Sequence, residues 1–184
     1  MQRLIAVLAR RRVFAGLLLT VIVVVLAQPS PLSLAAGGVV SIGGEAIRVW
    51  ASGYLRKNQA LAMQGPYAYT RNPLYVGNLL IGIGVVIGSA RWWLVAAYLA
   101  YYCVFYAATI RHEATVLAGL FGDEFEDYRK RVPALFPRYT RAAPQRGQPA
   151  DGFELCLVWR NREYRAITAA LLVYSFLAVR MYWP

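Results

Sequence analysis

The stretch "QGPYAYTRNPLYVGN", Gln64–Asn78, gathers an arginine, two asparagines, two prolines and three tyrosines between two apolar segments. Asn72-Pro73 reads as a helix start: asparagine favours the N-cap, and proline favours the first helical position, where a missing N–H costs nothing. A helix beginning at Pro73 aims its unpaired N–H groups and positive dipole end at the loop before it. Arg71 adds a planar fork for a carboxylate or phosphate. Gly65-Pro66 sets a turn, and Tyr67, Tyr69 and Tyr75 offer ring faces for stacking and hydroxyls for hydrogen bonds. The competing reading is a rigid turn with tyrosines at a membrane boundary, where they are common in any case.

A second cluster lies further along the chain. Tyr98, Tyr102, Phe105, Tyr106, Thr109 and Glu113 recur at three- and four-residue spacing, so one helix face is aromatic and hydroxylated and ends in a carboxylate. Packing between helices would use Tyr98 and Tyr102 equally well, and Glu113 beside Arg111 also fits a helix-end ion pair. Gly122 is a helix-ending glycine. After it, Phe125, Tyr128 and Val132 share a face at i, i+3 and i+7, which suits a short helix lying on the bilayer surface. Pro133 stops that helix, and Pro137 stiffens a lid-like strip, Val132–Pro137. Cys103 and His112 read as packing and interface residues. With one histidine and no paired cysteine spacing, no metal centre or disulfide framework is expected.

The elements that carry these clusters are expected to be membrane helices. Of the 184 residues 59% are apolar and 16% charged, and the mean hydropathy is +0.42, which is too apolar for an ordinary soluble domain. Five segments approach the ~17–25 residues of a membrane-crossing helix: Val13–Ala27, Leu32–Tyr54, Leu74–Ser89, Trp92–Ile110 and Ile167–Trp183. The fold class is therefore an all-α, polytopic helical membrane protein, with residues 1–184 as one domain. Arg10, Arg11 and Arg12 can snorkel to lengthen the first span, and Leu4–Ala9 continues its helix along the interface. That first segment also fits a secretory signal peptide. Inside the second, Glu45 and Arg48 stand i, i+3 on one face, as a structural ion pair or a substrate-facing pair, among glycines that let a neighbouring helix approach.

The net charge of +11 is distributed in clusters between apolar runs, which argues topology and no nucleic-acid partner. Alternate threading puts the N-terminal arginines, Arg56, Lys57, Arg71, Arg111, Arg129-Lys130-Arg131 and the later arginines up to Arg165 on one side. Arg91 and Arg180 fall on the other. By the positive-inside rule the N-terminus and both clusters face the cytoplasm. Arg141–Gly152 reads as a mobile loop, and Phe153–Tyr164 as an interfacial helix leading to the last span.

"GPYAYTRNPLYVGN" followed by "RHEATVLAGLFGDEFEDYRKRVPALFP" resembles the signature of the isoprenylcysteine carboxyl methyltransferase family, integral membrane enzymes that use S-adenosylmethionine. The likeness covers roughly Gln64–Tyr139. It implies a cytoplasmic cofactor pocket between the loop before span three and the segment after span four. Position by position it points to Tyr67, Arg71, Asn72, Pro73 and Tyr75, and then to Arg111, Glu113, Tyr128, Val132, Leu135 and Pro137. In this reading Arg111 and Glu113 serve catalysis and Glu113 also serves the cofactor. A lipid-like or prenylated substrate enters between spans, past Tyr102, Tyr106 and Thr109, with its head near Arg111. Asn72 stands where eukaryotic members usually have histidine, and Ala114 where many have a second glutamate. "RNPLYVG" also resembles the related phospholipid N-methyltransferases. Sterol reductases share part of the pattern but are longer, and a non-catalytic membrane protein could keep the same fold.

Overall fold

The computed structural model describes residues 2–57, 59–142 and 152–182, with side chains from residue 5 onward. Its described residues form six α-helices and no strand: α1 Gln2–Leu26, α2 Pro31–Ser52, α3 Pro73–Gly88, α4 Leu94–Arg131, α5 Leu155–Arg160 and α6 Tyr164–Tyr182. A single 3-10 turn, Gly65–Ala68, precedes α3. The all-α expectation holds. By length and apolar composition α2, α4 and α6 are able to cross a membrane, whereas α3 has 16 residues. At the helical rise α3 is about 24 Å long, short of a ~30 Å hydrocarbon core. The segment starting at Val13 is part of one continuous helix from Gln2 that carries the arginine triplet along its length. Five spans are thus three by this measure, with α1 and α3 completing the bundle.

Local signals account for the boundaries. Ser30 and Ser33 cap the start of α2 reciprocally, each side chain taking the other's backbone N–H, and Pro31 occupies the first helical position. At the far end of the bundle Arg91 Nε donates to Leu26 O at 2.8 Å and an Arg180 Nη to Val25 O at 3.1 Å. Both guanidinium groups therefore serve the carbonyls that end α1, where cations suit the helix dipole. The two basic residues that threading separated from the rest do share an end.

Small residues bring α2 and α3 together. A Cβ on Gly37 would lie within 3.0 Å of the backbone of Gly84 and Gly88, and one on Gly44 within 3.0 Å of Gly77 O. Ser41, between them on the same face, donates to Ile81 O at 3.2 Å and pairs with the Tyr174 hydroxyl of α6 at 2.9 Å. Gly38 and Gly43 have open space instead. Val23, Val85, Val86, Leu94, Tyr98, Tyr102 and Leu177 fill the core between α1, α3, α4 and α6. Val13, Phe14 and Leu17 on α1, Ile42 on α2, and Leu171 and Phe176 on α6 face outward and are well exposed, an apolar belt of the kind lipid covers.

The helix predicted to lie on the bilayer after Gly122 does not lie there. Gly122 adopts φ 50° and ψ −125° inside α4, and the turn folds the last part of the helix back onto the loop before α3. Phe125, Tyr128 and Val132 are buried against Leu61, Met63, Leu117 and Phe121. The shared face found in the sequence is real, but it covers the protein's own chain. A Cβ at Gly122 meets open space, so Gly122→Ala tests backbone strain alone. It is expected to cost about 1–3 kcal/mol, read as a lower midpoint of thermal unfolding in detergent.

The expected loop Arg141–Gly152 falls mostly outside the described residues. The segment after it, expected as an interfacial helix over Phe153–Tyr164, is helical over Leu155–Arg160 and docks on the end of α2 and the loop after it: Asn161 Nδ2 donates to Ser52 O and Leu55 O at 3.0 and 2.8 Å, and Arg56 pairs with Glu154.

Candidate active site

Two sequence clusters sixty residues apart become one structure. Arg71 N donates to Pro133 O at 2.9 Å, Arg138 N to Tyr69 O at 3.1 Å and Ala142 N to Ala68 O at 3.0 Å. Thr70 Oγ1 donates to Leu135 O at 3.0 Å. The strip Val132–Pro137, expected to be lid-like, is therefore stitched by main-chain bonds to the loop before α3. Asn72 holds the N-cap position of α3 but makes no capping bond. Its Nδ2 donates to Ala134 O at 2.7 Å, a carbonyl that the strip brings within reach and that also accepts from Thr70 Oγ1 at 3.3 Å. That corrects the capping role read from the sequence.

Arg71 is turned in the same direction. Its Nε donates to Val132 O at 3.0 Å, and its guanidinium lies 6.0 Å from the centre of the buried Phe125 ring. It also lines a cleft of about 500 Å³ with Arg129, Lys130, Arg131, Val132, Pro133, Arg138 and Ala142, so an anion at this mouth would meet several guanidinium groups. Tyr128 is buried and donates to Tyr67 O at 2.7 Å. Burial pushes the Tyr67 phenol well up from its ordinary value, and Tyr128, Glu113 and Glu163 nearby act in the same direction. Tyr67 thus stays a neutral donor at any ordinary pH.

Deeper in, Pro73 starts α3 and Tyr75 follows two residues on, facing α4. Its hydroxyl donates to Glu113 and accepts from Arg12 Nη1 at 2.9 Å, while the guanidinium lies 5.4 Å from the Tyr75 ring centre. Tyr102 Oη donates to Tyr75 O at 2.8 Å. Tyr106 stacks on Tyr102 with ring centres 4.2 Å apart and meets Tyr75 edge-on at 5.3 Å. The aromatic face of α4 thus covers the start of α3, and a cation and a carboxylate flank the Tyr75 hydroxyl. Arg12 went unread as a site residue; its position in a basic triplet suggested snorkelling. Arg10 and Arg11 are exposed and Arg12 is turned inward, since successive helical positions differ by about 100°.

The remaining expected residues are placed as follows. Leu135 is half-buried against the main core, and Pro137 is exposed. Thr109 is buried, with its hydroxyl bonded back to Phe105 O at 2.8 Å. Arg111 is exposed; two positions from Glu113 on one helix, it points to a different face, so the Arg111–Glu113 pairing is not formed. Glu45 and Arg48 do approach, at 3.9 Å, but the closer partner of Arg48 is the buried Glu163, at 2.7 Å. Arg48 Nη1 also donates to Asn78 Oδ1 at 2.5 Å, and Tyr98 Oη donates to Asn78 O at 2.9 Å. Asn78 closes the opening motif and joins this second polar network to the tyrosines; nothing in the spacing of Glu163 pointed to it. Among the described residues no group of histidine, cysteine and acidic side chains could hold a metal ion.

A helical membrane bundle with a half-buried Arg–Tyr–Glu constellation at one mouth is the class that fold and site define. The chain belongs to the phospholipid methyltransferase family, whose model matches residues 11–124, from the arginine triplet to just past the Gly122 break. It is 43% identical over 98 residues to the cobalt-zinc-cadmium resistance protein CzcN of Cupriavidus metallidurans, covering 50% of this chain and 44% of that one. To the nickel-cobalt-cadmium resistance protein NccN of Alcaligenes xylosoxydans xylosoxydans it is 41% identical, with the same coverage. It is 32% identical over 81 residues to the protein-S-isoprenylcysteine O-methyltransferase of Schizosaccharomyces pombe, covering 44% of this chain and 34% of that one. The chain thus spans less than half the length of these curated relatives. No solved structure matches. The family and the isoprenylcysteine relative support the resemblance on which the sequence reading rests.

Proposed function

We propose that this protein transfers a methyl group from S-adenosylmethionine to a lipid-like or prenylated acceptor at the membrane, with carboxyl O-methylation as the favoured reaction. The observation that carries the proposal is the joining of the two signature segments around Tyr75 and Glu113. The donor set fits the cofactor: a carboxylate suits its ammonium or ribose hydroxyls, guanidinium groups suit its carboxylate, and stacked phenol faces suit a sulfonium and an adenine. Glu113, Tyr75 and Arg71 would hold it, with Tyr67, Asn72, Pro73, Tyr128, Val132, Leu135 and Pro137 forming the wall around them. When bound it supplies an electrophilic methyl group. The chain's own residues then have to align the acceptor and keep water out, tasks suited to the rigid main-chain stitching and the Tyr75–Tyr102–Tyr106 stack.

A carboxylate acceptor needs no base, whereas a protonated amine must first lose its proton. Glu113 already accepts the Tyr75 hydroxyl, and the acid reading asks no proton transfer of it. Amine methylation of a phospholipid is the second reading, favoured by the family's description. The basic mouth, by the positive-inside rule, faces the cytoplasm in this proposal.

Calorimetry on the purified protein in detergent tests the cofactor: saturable S-adenosylmethionine binding is expected, and its absence from a folded sample removes both enzyme readings. Labelled methyl donor with prenylated cysteine acids and with phospholipid amines then separates the acceptors. Arg71→Ala is expected to weaken cofactor binding by about 1.5–3 kcal/mol, the worth of a hydrogen bond to a charged group. It should also lower the thermal midpoint, because Val132 O loses its partner. Unchanged affinity would take Arg71 out of the site.

A further inference from the structure

We propose that Arg12 is the group that grips the acid of the methyl acceptor and so makes this site selective for anionic over neutral or cationic lipids. The inference rests on the methyl-transfer reading above and moves the acceptor's head from Arg111, where the motif likeness put it, to α1.

Arg111 is exposed and faces away from Glu113, whereas Arg12 touches the Tyr75 hydroxyl that Glu113 also holds. Arg12 is therefore the cation that contacts Tyr75, the residue shared by the carboxylate and the aromatic stack. A guanidinium has five donors in a rigid fork that matches a carboxylate, and the Tyr75 hydroxyl is the side-chain acceptor it meets among the described residues. The fork is half-buried, where a charge-assisted bond is worth more than at an exposed surface. It is also fixed in place. Tyr101 Oη donates to Arg12 O at 2.9 Å, and Gly16, one turn further on, lets the Tyr101 ring lie directly against α1. Beyond it, Val13, Phe14 and Leu17 face outward, so an acceptor's apolar tail could lie along α1 in lipid while its acid reached Arg12.

The chemistry sets the sign of the kinetic effect. Transfer forms an O–CH3 bond and breaks an S–CH3 bond; the carboxylate's negative charge and the sulfonium's positive charge cancel, and no proton has to be placed. The acceptor is most negative before reaction and neutral afterwards. Arg12 thus binds the acid more strongly than the ester, and it favours the ground state at least as much as the transition state. Its contribution is to KM and to release of the neutral product, not to kcat.

The test uses the full chain in detergent with one prenylated cysteine as its free acid and as its carboxamide. Calorimetric titration of each, without methyl donor, should show the wild type preferring the acid. Arg12→Gln should lower that preference by about ten- to a hundred-fold, and Arg12→Lys should retain part of it. In turnover Arg12→Gln should raise KM for the acid by a similar factor with kcat not falling in parallel, while S-adenosylmethionine affinity falls by less than the acid preference. Three results overturn the inference: equal wild-type binding of acid and amide, an unchanged acid preference in Arg12→Gln, or a loss in Arg12→Gln confined to S-adenosylmethionine affinity. The last would assign Arg12 to the cofactor's carboxylate. Absence of S-adenosylmethionine binding in the wild type, with the acid preference intact, would instead sink the methyl-transfer reading and leave Arg12 as an anion site.

Discussion

Glu113→Ala is expected to weaken S-adenosylmethionine binding by about 1.5–3 kcal/mol, roughly ten- to a hundred-and-fifty-fold, by calorimetry. Two losses combine in this number. The carboxylate proposed to meet the cofactor's ammonium or ribose hydroxyls is gone, and the Tyr75 hydroxyl loses the acceptor that orients it. Arg12, still bonded to that hydroxyl, is then a half-buried cation with no counter-charge beside it, which is costly in a poorly hydrated site. Tyr75→Phe separates the two contributions. It keeps the ring and the carboxylate and removes only the bridge, so it should cost less than Glu113→Ala. Equal affinity for the cofactor in Glu113→Ala and the wild type would remove Glu113 from the binding site.

Tyr75 and Glu113 were legible in the sequence because each lies in a spaced motif and the helices that carry them read clearly. Pro73 begins α3 as its chemistry demands, and Gly122 breaks α4 where a positive φ excludes most side chains. What periodicity gives is a face, not the partner of that face. Phe125, Tyr128 and Val132 were correctly grouped and assigned to lipid, because nothing local states that the chain folds back at Gly122. Asn72 shows the same limit: it stands at the N-cap as the local rule has it, yet its side chain makes no capping bond and its Nδ2 donates to Ala134 O, sixty-two positions on. Arg12 was hidden among identical neighbours, since a basic triplet beside an apolar run has a complete explanation at the membrane surface. Its inward turn depends on the helical phase of α1 against α4, set by Gly16 and Tyr101, and two residues so far apart in the chain form no motif.

Gly37→Ala is expected to destabilise the bundle by about 3 kcal/mol, the upper end of ordinary overpacking, and Gly38→Ala to be neutral or stabilising by up to about 1 kcal/mol from helix propensity. The two glycines are neighbours in sequence and differ only in what a methyl group would meet. At Gly37 it meets the backbone of Gly84 and Gly88, which has no rotamer to give way; at Gly38 it meets nothing within 4 Å. Lipid tails are as apolar as the side chains they replace, so close backbone packing is a main source of cohesion between such helices, and widening it has no hydrophobic compensation. The effect should reach the site as well. Arg48 lies across the same α2–α3 seam, its stem against Gly77 and its Nη1 on Asn78, so forcing the helices apart pulls the Arg48–Glu163 network away from Asn78 and from Tyr98, which holds the Asn78 carbonyl. Thermal unfolding in detergent should therefore fall for Gly37→Ala together with cofactor affinity, and neither should fall for Gly38→Ala. Equal behaviour of the two variants would mean that α2 and α3 are not in backbone contact, and the seam that aligns the two polar networks would have to be placed elsewhere.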